Sequence, residues 1–272
     1  MNYDAGFTRV NRKSKYSFIY NFERKQSFKT IKRIHVMKFT TIIFSTLILI
    51  SACKKKDVGQ KINPTCAVSG LADSLQKGIQ TYYPFCGNAA DISGNGNNGS
   101  LTGGSFIADR LGNDNSAVQL TSDSSTVCSS HAYDSPQNFT ISIWLKTTAT
   151  DGRVVIFDSS PCSHIDWDRM IFIANGQAAF YVFTVSYQTI YGGPNISDNK
   201  WHHLAATLGA DGMKLYVDGN LAASNVDVTT AQSLTGYWRV GGFIHSTPLG
   251  SYDDFIVYNR VLSASEILKL SQ

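Results

Sequence analysis

The chain has 272 residues, of which 43% are hydrophobic, 12% aromatic and 16% charged, a composition typical of a folded protein and not of a disordered one. Its net charge of +4 comes from residues 1–52; the remaining chain has 14 basic and 18 acidic residues, a net of −4, and lacks the basic field that nucleic acids require. The sequence has two glutamates, Glu23 and Glu266, which excludes chemistry that needs a glutamate pair in the mature protein.

The N-terminal region predicts an export signal and not a fold. Residues 1–36 are basic, lack apolar periodicity and are predicted to precede the functional start or to be disordered. Residues 37–52 combine Lys38, an apolar run over residues 39–50 and the small pair Ser51-Ala52. These are the three parts of a signal peptide, and the apolar run is too short to span a membrane.

The small pair directly before Cys53 resembles the lipobox of bacterial lipoproteins. The resemblance implies that Cys53 is lipidated and becomes the first residue of the mature protein, which acyl chains hold to a membrane. Lys54 follows where an inner-membrane retention signal has aspartate, so we expect an outer membrane lipoprotein of the cell envelope. The sequence does not decide whether the protein faces the periplasm or the cell surface. Residues 53–70 are predicted to be a tether and residues 71–272 one folded domain.

Four cysteines remain after Cys53, and an oxidising compartment allows them to pair. The four cysteines can form two disulfides in three possible connectivities. A zinc site is disfavoured because no Cys-x2-Cys pair is present. We predict Cys66 with Cys86 and Cys128 with Cys162, since each of these pairs is closer in sequence and closes a loop without crossing between sheets.

From residue 117 onward, short β-branched and aromatic runs alternate with Gly, Asn, Asp and Ser turns, which predicts an antiparallel sandwich or barrel. The predicted strands cover residues 117–120, 139–145, 154–157, 170–174, 178–185, 201–208, 213–217, 237–240 and 252–258. In the second strand the odd-numbered residues are apolar and form a core face, whereas Trp144 lies on the opposite face, either covered by loops or open to a ligand. Ser263 and Glu266 have capping-box spacing and predict one C-terminal helix.

Six stretches carry a family resemblance. They are Tyr83-Pro84-Phe85 with the Gly- and Asn-rich residues 87–99, Asp109-Arg110-Leu111-Gly112-Asn113, Phe139-Thr140-Ile141-Ser142-Ile143-Trp144, Trp201-His202-His203-Leu204-Ala205, Leu215-Tyr216-Val217-Asp218-Gly219 and residues 253–263. In this order they resemble the signatures of laminin-G-like domains of the concanavalin A-like lectin/glucanase superfamily. The resemblance implies an all-β jelly-roll sandwich of two antiparallel sheets, with ligands that range from glycans to proteins and lipids.

Residues 91–97, Asp-Ile-Ser-Gly-Asn-Gly-Asn, place oxygen ligands at alternate positions, as in the first half of a calcium loop. No bidentate glutamate follows, which excludes a helical EF-hand. The family resemblance implies one structural Ca²⁺ held in loops, with Asp91, Asn95, Asp253 and Asp254 as candidate ligands. The alternative is that the Asn and Gly residues simply form turns.

Glycan recognition needs aromatic faces beside amides, carboxylates or guanidinium groups. Trp167 lies outside the predicted strands between Asp166 and Arg169, and Tyr187 and Tyr191 are expected to line the same edge. We predict a ligand site at these five residues. The alternative is that this segment folds down as a lid pinned by a disulfide.

These features predict a lipid-anchored extracytoplasmic binding module that recognises carbohydrate without cleaving it. A structural or adhesive lipoprotein that binds a surface protein is the second hypothesis. The third is a glycoside hydrolase that uses aspartates, for which Asp166 and Asp168 are the spaced pair beside an aromatic residue.

Overall fold

The structure is a computed structural model that describes residues 66–162, 167–242 and 246–272. The predictions for residues 1–36, the signal peptide over residues 37–52, the lipidation of Cys53 and the placement of Asp166 lie outside the described residues. Within the described ranges, no helix has the length and apolar character that crossing a membrane requires.

The described residues form sixteen strands, numbered in chain order, in two sheets. Sheet A contains, in spatial order, β14 (Asn220–Asn225), β13 (Met213–Val217), β12 (Trp201–Leu208), β7 (Phe139–Thr147), β16 (Gly250–Tyr258), β4 (Ala117–Leu120) and β3 (Ser105–Ile107), and β1 (Ile79–Tyr83) also pairs with β16. Sheet B contains β11 (Tyr187–Asn195), β10 (Gln177–Phe183), β9 (Trp167–Ala174), β8 (Gly152–Asp158), β15 (Thr235–Val240), β5 (Thr126–Ser129) and β2 (Gly99–Thr102), and β6 (Tyr133–Asp134) also pairs with β15.

The pairings between these strands are antiparallel, which confirms the predicted two-sheet sandwich. All nine predicted strands are present, and three have the predicted bounds. The strand predicted over residues 170–174 starts earlier, at Trp167, and the one predicted over residues 178–185 ends at Phe183. Seven further strands, among them β1 and β11, were not predicted because their residues do not alternate cleanly.

The main core lies between the two sheets. Phe139 of sheet A contacts Phe180 and Trp238 of sheet B, with ring centroids 6.3 and 6.0 Å apart. These rings are fully buried, as are the other odd-numbered residues of β7 up to Leu145. Each such side chain contributes roughly 1.5–3 kcal/mol relative to an exposed position. The predicted core face of β7 is therefore confirmed.

A second apolar cluster covers the outer face of sheet A. Leu75 and Leu270 pack there against Tyr82 and Ile256, so that the residues before β1 and helix α1 (Ala264–Leu270) lie over the sheet. The helix begins with the predicted capping box: Ser263 Oγ accepts from the Glu266 backbone N–H, and the Glu266 carboxylate accepts from the Ser263 N–H.

Both predicted disulfides are confirmed. Cys66 pairs with Cys86 and holds the first described residues beside the end of β1. Residues 66–70 therefore belong to the folded domain, and the predicted tether over residues 53–70 is too long at its C-terminal end. Cys128 of β5 pairs with Cys162, which lies in the segment between β8 and β9. The second disulfide therefore ties the segment that follows β8 to β5 of sheet B.

Candidate functional site

The outer face of sheet B carries a group of aromatic side chains. Phe180 and Val182 of β10 and Ile171 of β9 point into the main core, so the residues between them face outward. The outward aromatic residues form a surface that we name the aromatic face: Trp167, Phe172, Tyr181, Phe183, Tyr187 and Tyr191.

Tyr187 and Tyr191 are the exposed part of the aromatic face, with 80% and 67% of their surfaces open to solvent. The Tyr187 ring lies 5.5 Å from that of Phe183 and 5.9 Å from that of Tyr181. Trp167, Phe172 and Phe183 are half-buried and rest on a buried floor of Ile156, Met170 and Tyr181. The floor supports the Tyr187 ring, and both exposed tyrosines lie on a strand and not on a loop.

The structure brings three of the five predicted ligand residues, Trp167, Tyr187 and Tyr191, onto this one face. The Arg153 guanidinium carbon lies 4.9 Å from the centre of the Trp167 ring, a cation–π contact that fixes the ring. Sequence reasoning missed Arg153, Phe172 and Phe183. The sequence could have indicated them, because in β9 and β10 both the odd-numbered and the even-numbered positions include large apolar residues. Neither face of these strands is therefore expected to be purely polar.

Asp168 and Arg169 lie outside the strands predicted from the sequence, but in the structure both belong to β9 and are fully buried, so the prediction that Arg169 binds a ligand is wrong. Asp168 Oδ1 accepts from the backbone N–H groups of Arg169 and Phe183, both at 2.6 Å. Arg169 donates to Asp168 Oδ2 and to the carbonyls of Pro136 and Gln232, at 2.9–3.0 Å. The Arg169 guanidinium is thus a structural group that a surface ligand does not reach.

A buried ion pair also weakens the hydrolase hypothesis. Burial raises the pKa of Asp168, and the backbone donors of Phe183 and the charge of Arg169 oppose the rise. Asp168 has no exposed surface with which to meet a substrate, and its predicted partner Asp166 lies outside the described residues. Asp168 is therefore not placed to act on a bound sugar as one member of a catalytic pair.

A second polar cluster lies on the outer face of sheet A. Arg110 Nη1 donates to Asp253 Oδ2 at 2.6 Å and to Asp254 Oδ2 at 2.7 Å. Neighbouring strand residues normally point to opposite faces, but Asp254 has φ +46° and the register with β7 shifts between Asp253 and Ile256. This bulge is what allows both carboxylates to reach one nitrogen.

Arg110, Tyr82 and Trp144 line a cavity of about 340 Å³, which we name the arginine cavity. It lies between sheet A, residues 67–75 and the end of α1, where Leu71, Leu75 and Leu270 form its apolar walls. The Arg110 guanidinium carbon lies 4.7 Å from the Trp144 ring centre, and Tyr82 donates to Asp254 Oδ1 at 2.7 Å. Trp144 was thus placed correctly on the outer face, whereas the roles of Arg110 and Tyr82 were not predicted.

Burial raises the pKa of both carboxyls in the arginine cavity, and the charge of Asp254 raises that of Asp253 further, while Arg110 opposes both shifts. Burial lowers the pKa of Arg110, but the two carboxylates more than offset this effect. His203 donates to or accepts from Ser142 at 2.8 Å, and burial lowers its pKa to about 3, so it is neutral. The cluster is one arginine shared by two acids, one of which retains a proton easily.

We expect the free energy of unfolding to fall as the pH rises from 7 to 8.5. In this window unfolded carboxyls no longer titrate, and unfolded histidines, with a pKa of about 6.5, lose only a small remaining charge. The raised pKa values let the folded Asp253–Asp254 pair hold a proton that unfolding releases. Urea unfolding at the two pH values measures the slope. Asp253→Asn removes the shared proton and should flatten the slope; an equal slope in this variant would contradict the assignment.

The predicted calcium ligands do not form one site. Asp91 accepts from the backbone N–H groups of Tyr82, Ser93 and Asn97, each at 2.9 Å, which closes its own turn. The Asn95 amide donates to the carbonyls of residues 79 and 80, and Asp253 and Asp254 face Arg110. Across the described residues, no three His, Cys, Asp or Glu side chains are close enough to hold one ion. Calcium binding stays a prediction.

Comparisons with known proteins agree with this architecture. A family model for laminin G-type domains, described as the concanavalin A-like lectin/glucanases superfamily, matches residues 112–268, more than half of the chain. No match was found among curated proteins.

The structure is similar to several solved domains. Domain 4 of AbnA, a GH43 extracellular arabinanase from Geobacillus stearothermophilus in complex with arabinotriose, shares 18% identity at a TM-score of 0.56, over 71% of this chain and 98% of that one. The binding domain of Paraclostridial Mosquitocidal Protein 1 shares 18% sequence identity at a TM-score of 0.58. The receptor binding domain of botulinum neurotoxin D shares 19% identity at a TM-score of 0.55. Both toxin matches cover 72% of this chain but about half, 52%, of the toxin domain. At these identities the likeness concerns the fold.

Proposed function

Because this chain belongs to the laminin G-type family of the concanavalin A-like lectin/glucanases superfamily, we propose that it is a lipid-anchored envelope protein that binds carbohydrate without cleaving it. The observation that carries the proposal is the aromatic face, where Trp167, Tyr187 and Tyr191 share one side of sheet B. The lipobox-like segment before Cys53 supports the anchor, and with it a place in the outer membrane.

The aromatic face has the features that a sugar ligand needs. Tyrosine and tryptophan rings offer a flat apolar surface for the C–H side of a sugar ring and a polar edge for its hydroxyls. Phe183 and Tyr181 contact the Tyr187 ring, and Trp167 packs against the buried cluster that includes Tyr181, so these two rings lose little conformational freedom on binding. The AbnA domain that shares the fold was solved with arabinotriose, which is compatible with a carbohydrate ligand.

The arrangement of the acids supports binding without cleavage. Hydrolysis needs two carboxyl groups that flank the scissile bond, one on each side. Asp253 and Asp254 instead point from one bulge to a single guanidinium nitrogen, and Asp168 is buried against Arg169. In these positions the carboxylates neutralise arginines and do not face each other across a groove.

Replacement of Trp167 by alanine tests the proposal. We expect Trp167→Ala to lower the affinity for the glycan that the protein selects from an array by about tenfold, the usual effect of removing a central aromatic contact. Isothermal titration measures the affinity, and repetition in a chelator shows whether calcium contributes.

Trp201→Ala is the matched control, because Trp201 is also half-buried and also begins a strand, but on sheet A. It should leave the affinity unchanged. If Trp167→Ala binds as tightly as the unaltered protein while its melting temperature is preserved, the site is wrong. Binding of a protein partner with no response to any glycan would favour the adhesive hypothesis.

A further inference from the structure

The strands that carry the exposed part of the aromatic face contain no charged residues over a long stretch. The 28 residues from Met170 to Ser197 contain no Asp, Glu, Lys, Arg or His, although at the overall 16% charged residues about four would be expected. This stretch includes most of β9, all of β10 and all of β11, which form one edge of sheet B. An exposed surface usually carries charges, so their absence sets the chemistry of whatever binds there.

The charged groups that do approach this face are either paired in buried ion pairs or stacked on Trp167. Asp168 pairs with Arg169 and Asp158 pairs with Arg239, and all four side chains are at most 1% exposed. Arg153 is half-buried against the Trp167 ring. Tyr187 and Tyr191 therefore have no neighbouring charged side chain on their own strand or on β10.

The two exposed tyrosines are also far apart. They lie four residues apart on the outer side of β11, which at about 3.4 Å per residue separates them by roughly 13 Å. Thr189, exposed on the same side, lies between them. A single sugar ring does not reach both tyrosines, whereas a chain of several sugars lying along the strand contacts both.

We propose that the aromatic face selects uncharged, extended glycan chains, an inference that rests on the carbohydrate-binding function proposed above. Tyr187 and Tyr191 act as two platforms for one chain. A uronic acid or sulfate group at these two tyrosines would lose hydration without gaining a cation, because neither β11 nor β10 carries one and Arg153 lies on β8, the third strand from β11, against the Trp167 ring. A neutral hydroxyl does not have this cost. Neutral polysaccharides are therefore bound, and anionic ones are rejected.

Affinity electrophoresis of the full protein tests the charge selectivity. The gels contain arabinan, xylan or β-glucan as neutral polymers, and polygalacturonate or alginate as anionic ones. The neutral polymer that retards the protein most is then carboxymethylated to increasing degrees. We expect retardation to decrease as carboxymethyl groups are added, because the polymer backbone stays the same and only its charge changes.

Variants of the two platforms test the extended binding mode. Tyr187→Ala and Tyr191→Ala should each weaken binding of long chains severalfold, and the double variant by tenfold or more. Affinity should increase with oligosaccharide length in the unaltered protein but not in either single variant. Val226→Ala, an exposed apolar residue on the segment after β14 of sheet A, is the control and should bind normally.

Substitutions of Thr189, which lies between the two tyrosines, test the charge selectivity most directly. Thr189→Lys should bring binding of polygalacturonate or alginate, and Thr189→Asp should abolish binding of the neutral polymer. If the unaltered protein binds anionic polymers as tightly as neutral ones through the same tyrosines, the selectivity is overturned while carbohydrate binding stands. If no polysaccharide retards the protein, the proposed function itself is overturned.

Discussion

Arg110→Ala is expected to lower the free energy of unfolding by about 3–5 kcal/mol, the usual loss when a buried charge is left without its partner. In the variant, Asp253 and Asp254 would remain nearly buried, at 2% and 8% exposure, with no cation between them. The Trp144 ring would lose the guanidinium that lies over it, and a void would open in the arginine cavity. Urea unfolding at pH 7 measures the loss.

The pH dependence separates this cause from a simple packing defect. Without Arg110 both carboxyls are stabilised mainly by protonation, so the variant should regain part of its stability as the pH falls from 7 to 5. Arg110→Ala combined with Asp253→Asn should recover more than Arg110→Ala alone, because the buried pair then has one ionisable carboxyl in place of two. A loss that is the same at both pH values, and that Asp253→Asn does not reduce, would contradict the charge argument.

The same cluster bears on the calcium prediction. Two of the four predicted ligands, Asp253 and Asp254, already share a cation, because Arg110 Nη1 lies within 2.7 Å of each carboxylate. Asp91 and Asn95 are hydrogen-bonded within their own turn and to β1. The pattern of oxygen ligands in the sequence is real, but in the described residues it is used for turn closure and for an internal ion pair.

The fold could be predicted from sequence because its strongest elements are local. The alternation in β7, the Asp211-Gly212 turn between β12 and β13, and the capping box at Ser263 each predict one structure without reference to the rest of the chain. Gly212 illustrates the turn: its φ is +93°, and a Cβ there would lie 2.4 Å from the Asn225 carbonyl oxygen. Family resemblance then supplied the topology, which local patterns do not contain.

The site could be predicted only in part, because two bulges change which residues are buried. Arg169 and Asp254 both have positive φ although neither is glycine, and sequence gives no signal for this conformation at an arginine or an aspartate. Around Arg169 the change turns an expected loop into a buried ion pair. Around Asp254 it directs two adjacent carboxylates to Arg110. Tyr187 and Tyr191 lie on the same side of β11, as the sequence indicated, because they are four residues apart with no bulge between them.

Arg169→Ala is expected to destabilise the fold by about 3–5 kcal/mol, because it leaves the Asp168 carboxylate buried without its cation. The variant also loses donors to the carbonyls of Pro136 and Gln232, two connections that hold segments of the chain beside β9. Thermal unfolding should show a decrease of about 10 °C or more for a domain of this size. Asp168→Asn combined with Arg169→Ala should recover part of the loss, since the uncompensated charge is removed.

Glycan affinity in the same variant decides between a structural and a ligand-binding role for Arg169. Measured at a temperature where Arg169→Ala is fully folded, the affinity should equal that of the unaltered protein, because the guanidinium has no exposed surface. Arg153→Ala is the contrasting variant: Arg153 is half-buried over Trp167, so its loss should weaken binding with little effect on melting. If Arg169→Ala instead melts normally and fails to bind, the side chain must turn outward to the ligand, and the burial-based account of β9 is wrong.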